Sequence, residues 1–163
     1  METERLELRL LSEDDLEAWS DFLGDGEATQ LLHTPEPVRD PERVLGSLRR
    51  WVAMAEGPVG MYALVERESG ETVGFVGFAR RELDWGDEIE LGWLIRRAHW
   101  GHGYATEAAR ALRPLVPGRI VSMIRVENKA SANVAGKLGM SMERELDYYG
   151  FTTHVWVSPS AAE

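Results

Sequence analysis

Trp100-Gly101-His102-Gly103-Tyr104-Ala105-Thr106-Glu107-Ala108 is the stretch from which the rest of this chain is read. It follows an apolar strand pattern, Ile89-Glu90-Leu91-Gly92-Trp93-Leu94-Ile95, and opens a helical one. Two glycines and an alanine at that junction let the backbone pass close to a ligand, while the first N–H groups of the helix have no partner within it. Such a turn cradles phosphate, because the free amides and the positive end of the helix dipole point the same way. No Gly-Lys-Ser/Thr follows, so it is not a Walker loop. Gly101-x-Gly103 also lacks the third glycine of a dinucleotide fingerprint and comes after a run of strands rather than opening a βαβ unit.

Working outward, Met61 to Glu66 and Thr72 to Arg80 read as strands joined by a Ser69-Gly70 turn. Asp84-Trp85-Gly86-Asp87 turns the chain into Ile89–Ile95, so three strands form a meander ahead of the glycine loop. Before them lie a strand from Arg5 to Leu10 and a helix opened by Ser12 with Asp15 in a capping box and Leu16, Trp19, Phe22 and Leu23 behind it. A second helix starts with Asp40 as N-cap and Pro41 at its first position, and Val44, Leu45, Leu48, Trp51, Val52 and Ala55 give it one apolar face. After the loop come a helix through Ala111, a strand from Arg119 to Val126, a helix from Ser131 to Leu138, and a strand pair, Met140–Leu146 and Phe151–Val157. The order β-α-α-β-β-β-α-β-α-β-β is that of an α+β domain on a mixed sheet, read as one domain over 1–163.

The chain has 163 residues, 44% of them apolar, enough for one substantial core. Without cysteine it has no disulfide, thiolate metal site or cysteine nucleophile. None of the four histidines has the spacing of a zinc site, so no metal is expected. A net charge of -10 disfavours nucleic acid and anionic membrane as partners; it reads first as excess Asp and Glu that keep the chain in solution, and it also suits a cationic acceptor such as a basic peptide or polyamine. No leader or membrane-length apolar run stands out, which places the expected site of action in the cytoplasm. Lys129 and Lys137 are the only lysines against many arginines, a coding bias that hints at a GC-rich bacterial genome.

Trp100–Ala108 resembles the acetyl-CoA pyrophosphate loop of Gcn5-related N-acetyltransferases (GNATs), with wording closest to the RimJ/RimL-like branch. Downstream, Asn128-Lys129-Ala130-Ser131-Ala132-Asn133-Val134-Ala135-Gly136-Lys137-Leu138-Gly139-Met140 is similar to that branch's Asn-x-x-Ser segment ending in Lys-Leu-Gly-Phe. Glu90-Leu91-Gly92-Trp93 also resembles the family's fourth strand, and the likeness runs over essentially the whole chain.

The resemblance implies a GNAT fold, a mostly antiparallel mixed sheet split between strands 4 and 5 and flanked by helices. It implies acetyl-CoA as cosubstrate, with backbone groups around Trp93, Leu94 and Ile95 pairing with its pantetheine arm. Gly101, His102, Gly103, Tyr104, Ala105 and Thr106 would hold the pyrophosphate, and Asn128 and Asn133 would bond the arm from the other side. Asparagine also caps helices and makes turns. The partner would be an amine, either a protein N-terminal α-amine or a small molecule; members of the family often dimerise through terminal strands, which leaves both a monomer and a homodimer open.

Three departures bear on the chemistry. Trp100 stands where these loops often carry Gln or Arg. Ala135 stands where many members carry the tyrosine that protonates departing thiolate. The stretch from Ala111 to Ile120, with Pro114 and Pro117, shortens the cofactor helix. Ser131 is then the candidate for the leaving thiolate, as acid or as hydrogen-bond donor, and it also reads as a helix N-cap. Glu90 is the candidate base where strand alternation turns it into the cleft, and it equally reads as a solvent-facing or arginine-paired carboxylate. The branch also suggests a carboxylate near the last two strands, a position close to Gly150 with Asp147 the nearest acid, or a water chain ending at either acid. Tyr148 and Tyr149 adjoin the acceptor cleft. The competing reading is a non-catalytic acetyl-CoA sensor, on the strength of Ala135 and Gly150.

Overall fold

The computed structural model describes residues 1–159. Seven strands, β1 (Leu6–Leu10), β2 (Met61–Glu66), β3 (Thr72–Leu83), β4 (Gly86–Ile95), β5 (Val121–Arg125), β6 (Ser141–Tyr148) and β7 (Phe151–Val157), lie in one sheet in the order β1-β2-β3-β4-β5-β7-β6. Every pairing is antiparallel except β4 with β5, which is parallel and consists of one register pair, Glu90 with Val121. Beyond it the two strands part, which is the split that the resemblance implied.

Helices α1 (Leu16–Gly24), α2 (Gly26–Thr29) and α3 (Pro41–Ala53) cover one face, while α4 (Tyr104–Leu112) packs on the other and α5 (Lys129–Lys137) follows β5. The period-2 pattern of β4 explains this sandwich. Leu91 and, in part, Ile89, Trp93 and Ile95 pack with Ala108, Ala109 and Leu112 of α4, whereas Leu94 joins Trp19, Phe22, Val44, Leu48 and Phe75. Trp19 meets Phe75 edge-on at 4.9 Å, and each fully buried large apolar side chain contributes about 1.5–3 kcal/mol. Gly77 permits the closest strand approach: a Cβ there would lie 2.2 Å from the Gly60 carbonyl oxygen.

Several local expectations change. The first helix is broken into a 3-10 turn over Glu13–Asp15, then α1, then α2. The expected capping box of Ser12 and Asp15 is present, and Asp15, which accepts the Ser12 N–H at 2.9 Å, is shared with the Arg9 guanidinium at 2.7 Å. Helix α3 stops at Ala53 rather than reaching Ala55. Helix α5 starts two residues before Ser131, because Asn128 is the N-cap and accepts the Ser131 N–H at 3.1 Å. Trp85, in the β3–β4 turn, packs with Val121, Met123 and Val155, and the Arg144 guanidinium sits 4.4 Å from its ring. As its prolines imply, α4 ends at Leu112 and gives way to a 3-10 turn, Arg113–Leu115.

Candidate active site

The site begins with the unpaired stretch of β4. The Arg96 N–H donates to Val73 of β3, while the Leu91 carbonyl accepts the Ser122 hydroxyl of β5 at 2.7 Å. Main-chain groups alternate sides along a strand, so those of Leu91, Trp93 and Ile95 turn toward β5 and those of Leu94 toward β3. With β5 diverging, Trp93 and Ile95 face an open gap, and the Ile95 carbonyl is taken by the Trp100 indole N–H at 2.8 Å.

Side chains alternate as well, so Glu90 and Trp93 project to opposite faces of the sheet. A single cavity of about 370 Å³ runs between them, lined on one side by Glu90 and Arg81 and on the other by Trp93, Asn128 and Ser131. The Trp93 indole N–H donates to the Ser131 hydroxyl oxygen at 3.1 Å. With its main-chain N–H on Asn128, Ser131 has an oriented side chain whose own O–H has no acceptor among the described residues. Asn128 therefore spends its carbonyl oxygen on the cap, keeping its side-chain N–H groups. Asn133 is exposed on α5 and is not part of the cavity wall. Ala135, where a tyrosine was looked for, is fully buried with Ile124 and Met140.

At the end of β4 the chain makes a short 3-10 turn, Arg97–His99, and enters α4 through Gly101 and Gly103, both at positive φ (78° and 79°). Gly101, His102 and Gly103 are exposed, and nothing lies within 4 Å of where a Gly101 Cβ would stand. Tyr104, Ala105 and Thr106 follow, buried, and supply the first N–H groups of α4; the first return bond is Glu107 N–H to the Gly103 carbonyl. The loop is clasped from the N-terminal segment. Arg5 donates through Nη1 to the His102 carbonyl at 2.8 Å and through Nε to Glu107 at 2.7 Å. Thr3 adds its hydroxyl to Glu107 at 2.6 Å. Burial would raise the Glu107 pKa, but the Thr3 and Arg5 hydrogen bonds hold it below the usual carboxylate range.

On the α1/α3 face, Glu90 has a side chain 16% exposed and meets Arg81 Nε at 2.5 Å. It thus both lines the cleft and pairs with an arginine. Burial opposes the Arg81 charge, yet Glu90 more than compensates and the guanidinium pKa rises. The Tyr148 hydroxyl is pushed up by burial first and then by Glu90. His33 enters from the stretch after α2, its Nε2 2.9 Å from the Thr153 hydroxyl and its ring edge-on to Tyr148. Burial, then the charges of Arg125 and Arg81, lower the His33 pKa to about 4. Arg125, 10% exposed, donates to the Gln30 and Leu32 carbonyls at 3.1 Å and packs 3.7 Å from the Phe151 ring centroid. Asp147 is exposed, accepts the Gly150 N–H in the β6–β7 turn and lies outside the cavity wall, leaving Glu90 as the carboxylate of the cleft. Tyr148 and Tyr149 both line it, Tyr149 at the exposed mouth.

Three of these residues escape a linear reading. Arg81 is reachable from the hairpin register that sets Ala79 opposite Glu90. His33 and Arg125 carry no local signal, since only the packing of the segment after α2 against β5 brings them together.

Residues 5–141 match the family model described as an acetyltransferase (GNAT) domain. The chain is 32% identical over 108 residues to the uncharacterized protein YkkB of Bacillus subtilis, a match covering 63% of this chain and 59% of that protein. It is 28% identical over 157 residues to the uncharacterized N-acetyltransferase p20 of Bacillus licheniformis, covering 90% and 85% of the two chains. Among solved structures, RimL, a ribosomal L7/L12 alpha-N-protein acetyltransferase in complex with coenzyme A, superposes with a TM-score of 0.81 at 20% identity, covering 99% of this chain and 97% of that one.

Proposed function

The chain belongs to the GNAT acetyltransferase family, and from that premise we propose that it transfers the acetyl group of acetyl-CoA to a primary amine within the β4–β5 split. The observation that carries this reading is the cavity joining the two sheet faces, with Glu90 on one side and Ser131 on the other. We assign the chain, 1–163, to one catalytic unit of the RimJ/RimL-like branch, on the wording of Trp100–Ala108 and Asn128–Met140, and its place of action to the cytoplasm. No helix among the described residues is long and apolar enough to cross a membrane.

The residues suit the cosubstrate. The gap-facing groups of Trp93 and the Ile95 N–H form an open strand edge against which an amide-bearing arm adds as a strand would, while the Ile95 carbonyl is held by the Trp100 indole. Leu94, whose main chain is spent on β3, contributes its side chain to the cleft wall. The exposed Gly101–Gly103 turn and the amides of Tyr104, Ala105 and Thr106 suit a pyrophosphate. Asn128 retains side-chain donors for the arm, and Asn133 would act further out along it. Acetyl-CoA supplies an activated acetyl group whose thiolate is a competent leaving group.

The amine approaches from the Glu90 face and its nitrogen bonds to the thioester carbon. A β4 N–H facing the gap stabilises the developing oxyanion, an effect worth about 2.7–4 kcal/mol in comparable sites. The amine's surplus proton leaves toward Glu90, directly or through water, and the C–S bond breaks on the opposite face. There the Ser131 hydroxyl donates a hydrogen bond to the sulfur, and a proton delivered to the thiolate completes free CoA and an N-acetyl product.

The test is calorimetric titration with acetyl-CoA beside a thiol-release assay over amines and N-terminal peptides. Binding with turnover on one acceptor class is expected. Binding without turnover would return the sensor reading, and absence of binding would overturn the assignment of Gly101–Thr106.

A further inference from the structure

The acceptor side of the cleft has a charge balance opposite to that of the molecule. The chain carries -10, yet the charged residues lining this cavity are Arg81, Arg125 and one carboxylate, Glu90. Glu90 is already engaged by Arg81 through Nε, and neither Nη of Arg81 has a hydrogen-bond partner among the described residues. Arg125 commits Nη1 to two carbonyls of the segment after α2; its Nε makes no hydrogen bond and stands 3.6 Å from Glu127. The remaining wall is apolar or aromatic, with the partly exposed Leu23, Leu32 and Trp51 lying over the buried Trp19 and Phe22. Burial first, and then the charges of Arg125 and Arg81, lower the pKa of His33 on the same wall to about 4.

Such a cleft repels a polycation. Each further ammonium of a polyamine would need its own carboxylate, and the wall offers none beyond Glu90. An amine at Glu90 lies next to the Arg81 guanidinium, since the two side chains touch at 2.5 Å. A carboxylate one carbon from that amine falls within reach of the free Arg81 Nη groups, whose planar fork matches a carboxylate. Arg125 adds a second positive charge on the β5 side.

We propose, resting on the acetyltransferase reading above, that the acceptor is an α-amino acid with a bulky apolar side chain, its carboxylate held by Arg81 in the field of Arg125 and its side chain lodged against Leu23, Leu32 and Trp51. Neither a polyamine nor a basic peptide fits this wall. Arg81 is the residue that sets this specificity.

A matched series tests it: L-phenylalanine and L-leucine, the carboxamide of each, the amine left by removing each carboxylate, and spermidine. Initial rates are followed by thiol release, and acetyl-CoA affinity is measured separately by calorimetry. We expect kcat/KM for the amino acids to exceed that of carboxamides and simple amines at least tenfold, with spermidine poorest. In Arg81→Gln the preference for acid over carboxamide collapses, while acetyl-CoA affinity stays within twofold. Arg81→Lys restores part of the preference, an outcome that damage to the fold would not produce. Turnover without a carboxylate preference, turnover favouring spermidine, or acetyl-CoA binding with no turnover of any amine in the series would each overturn the acceptor class. The acetyltransferase assignment itself falls separately, on loss of acetyl-CoA binding by the unaltered protein.

Discussion

Ser131 holds three connections at once: its N–H to Asn128, its oxygen to the Trp93 indole and a hydroxyl proton free for the gap. A serine hydroxyl is a weak acid, so in its proposed role at the departing thiolate it would contribute at or below the low end of acid catalysis, roughly 10- to 100-fold in kcat. Ser131→Ala should lose about that much kcat and leave acetyl-CoA affinity nearly unchanged, by steady-state kinetics and calorimetry together. An unchanged kcat would reduce Ser131 to a support for Trp93. His33 yields a different residue-scale test. Its pKa is about 4 in the fold against 6.5 as the reference, so the proton binds the unfolded chain more readily. Above the reference value both states are neutral and the ring adds no pH dependence. As pH falls from there toward about 4, stability is lost, and below that the loss is complete. Urea midpoints measured across this window should therefore drop less steeply for His33→Gln than for the parent. Equal slopes would mean that neither burial nor the charges of Arg125 and Arg81 shift the ring.

At the scale of elements, the loop proposed as a phosphate cradle is held less by its own glycines than by the segment entering β1. Arg5 ties the His102 carbonyl to Glu107 and lies 4.7 Å over the Tyr104 ring, fixing the first turn of α4. Its side chain is 42% exposed, so the ion pair is screened and worth at most about 1 kcal/mol. Arg5→Ala should then weaken acetyl-CoA binding by about two- to fivefold with kcat preserved, since nothing between β4 and Ser131 is touched. A fall in kcat without a change in KM would show that the clasp acts on the gap instead. The same element marks how far sequence reading reaches. Strand, glycine turn and helix from Ile89 to Ala111 were legible because period and small residues change within one short window. The meander was legible for the same reason. The split was not, since it depends on where β5 stops following β4, and it was expected only from the likeness of two motifs to a known family. Four-residue α2 offers no period to detect, and the start of α5 was misplaced because both Asn128 and Ser131 are good caps. Glu90 was legible as a cleft residue through alternation, but its partner Arg81 required the register and Arg125 required the tertiary fold.

For the whole molecule, a strongly negative chain must capture a polyanionic cosubstrate. The arginines nearest the cradle do not offset this at long range, because each has carboxylate partners: Arg5 with Glu107, Arg96 with Asp21 and Glu71, Arg97 with Asp25 and Glu27. Close contact relies on amides and glycines, whose reach is short, so the approach is governed by the net charge of -10. Screening shortens that repulsion from about 30 Å at 0.01 M salt to about 8 Å at 0.15 M. Association of acetyl-CoA should consequently speed up over this range, by about two- to tenfold given the size of such steering effects. Stopped-flow tryptophan fluorescence is a suitable probe, because Trp93 and Trp100 flank the gap. An association rate that falls with salt would mean that Arg96 and Arg97 exchange their carboxylates for phosphate during encounter, making the cradle a cationic site in action despite its neutral pairing at rest.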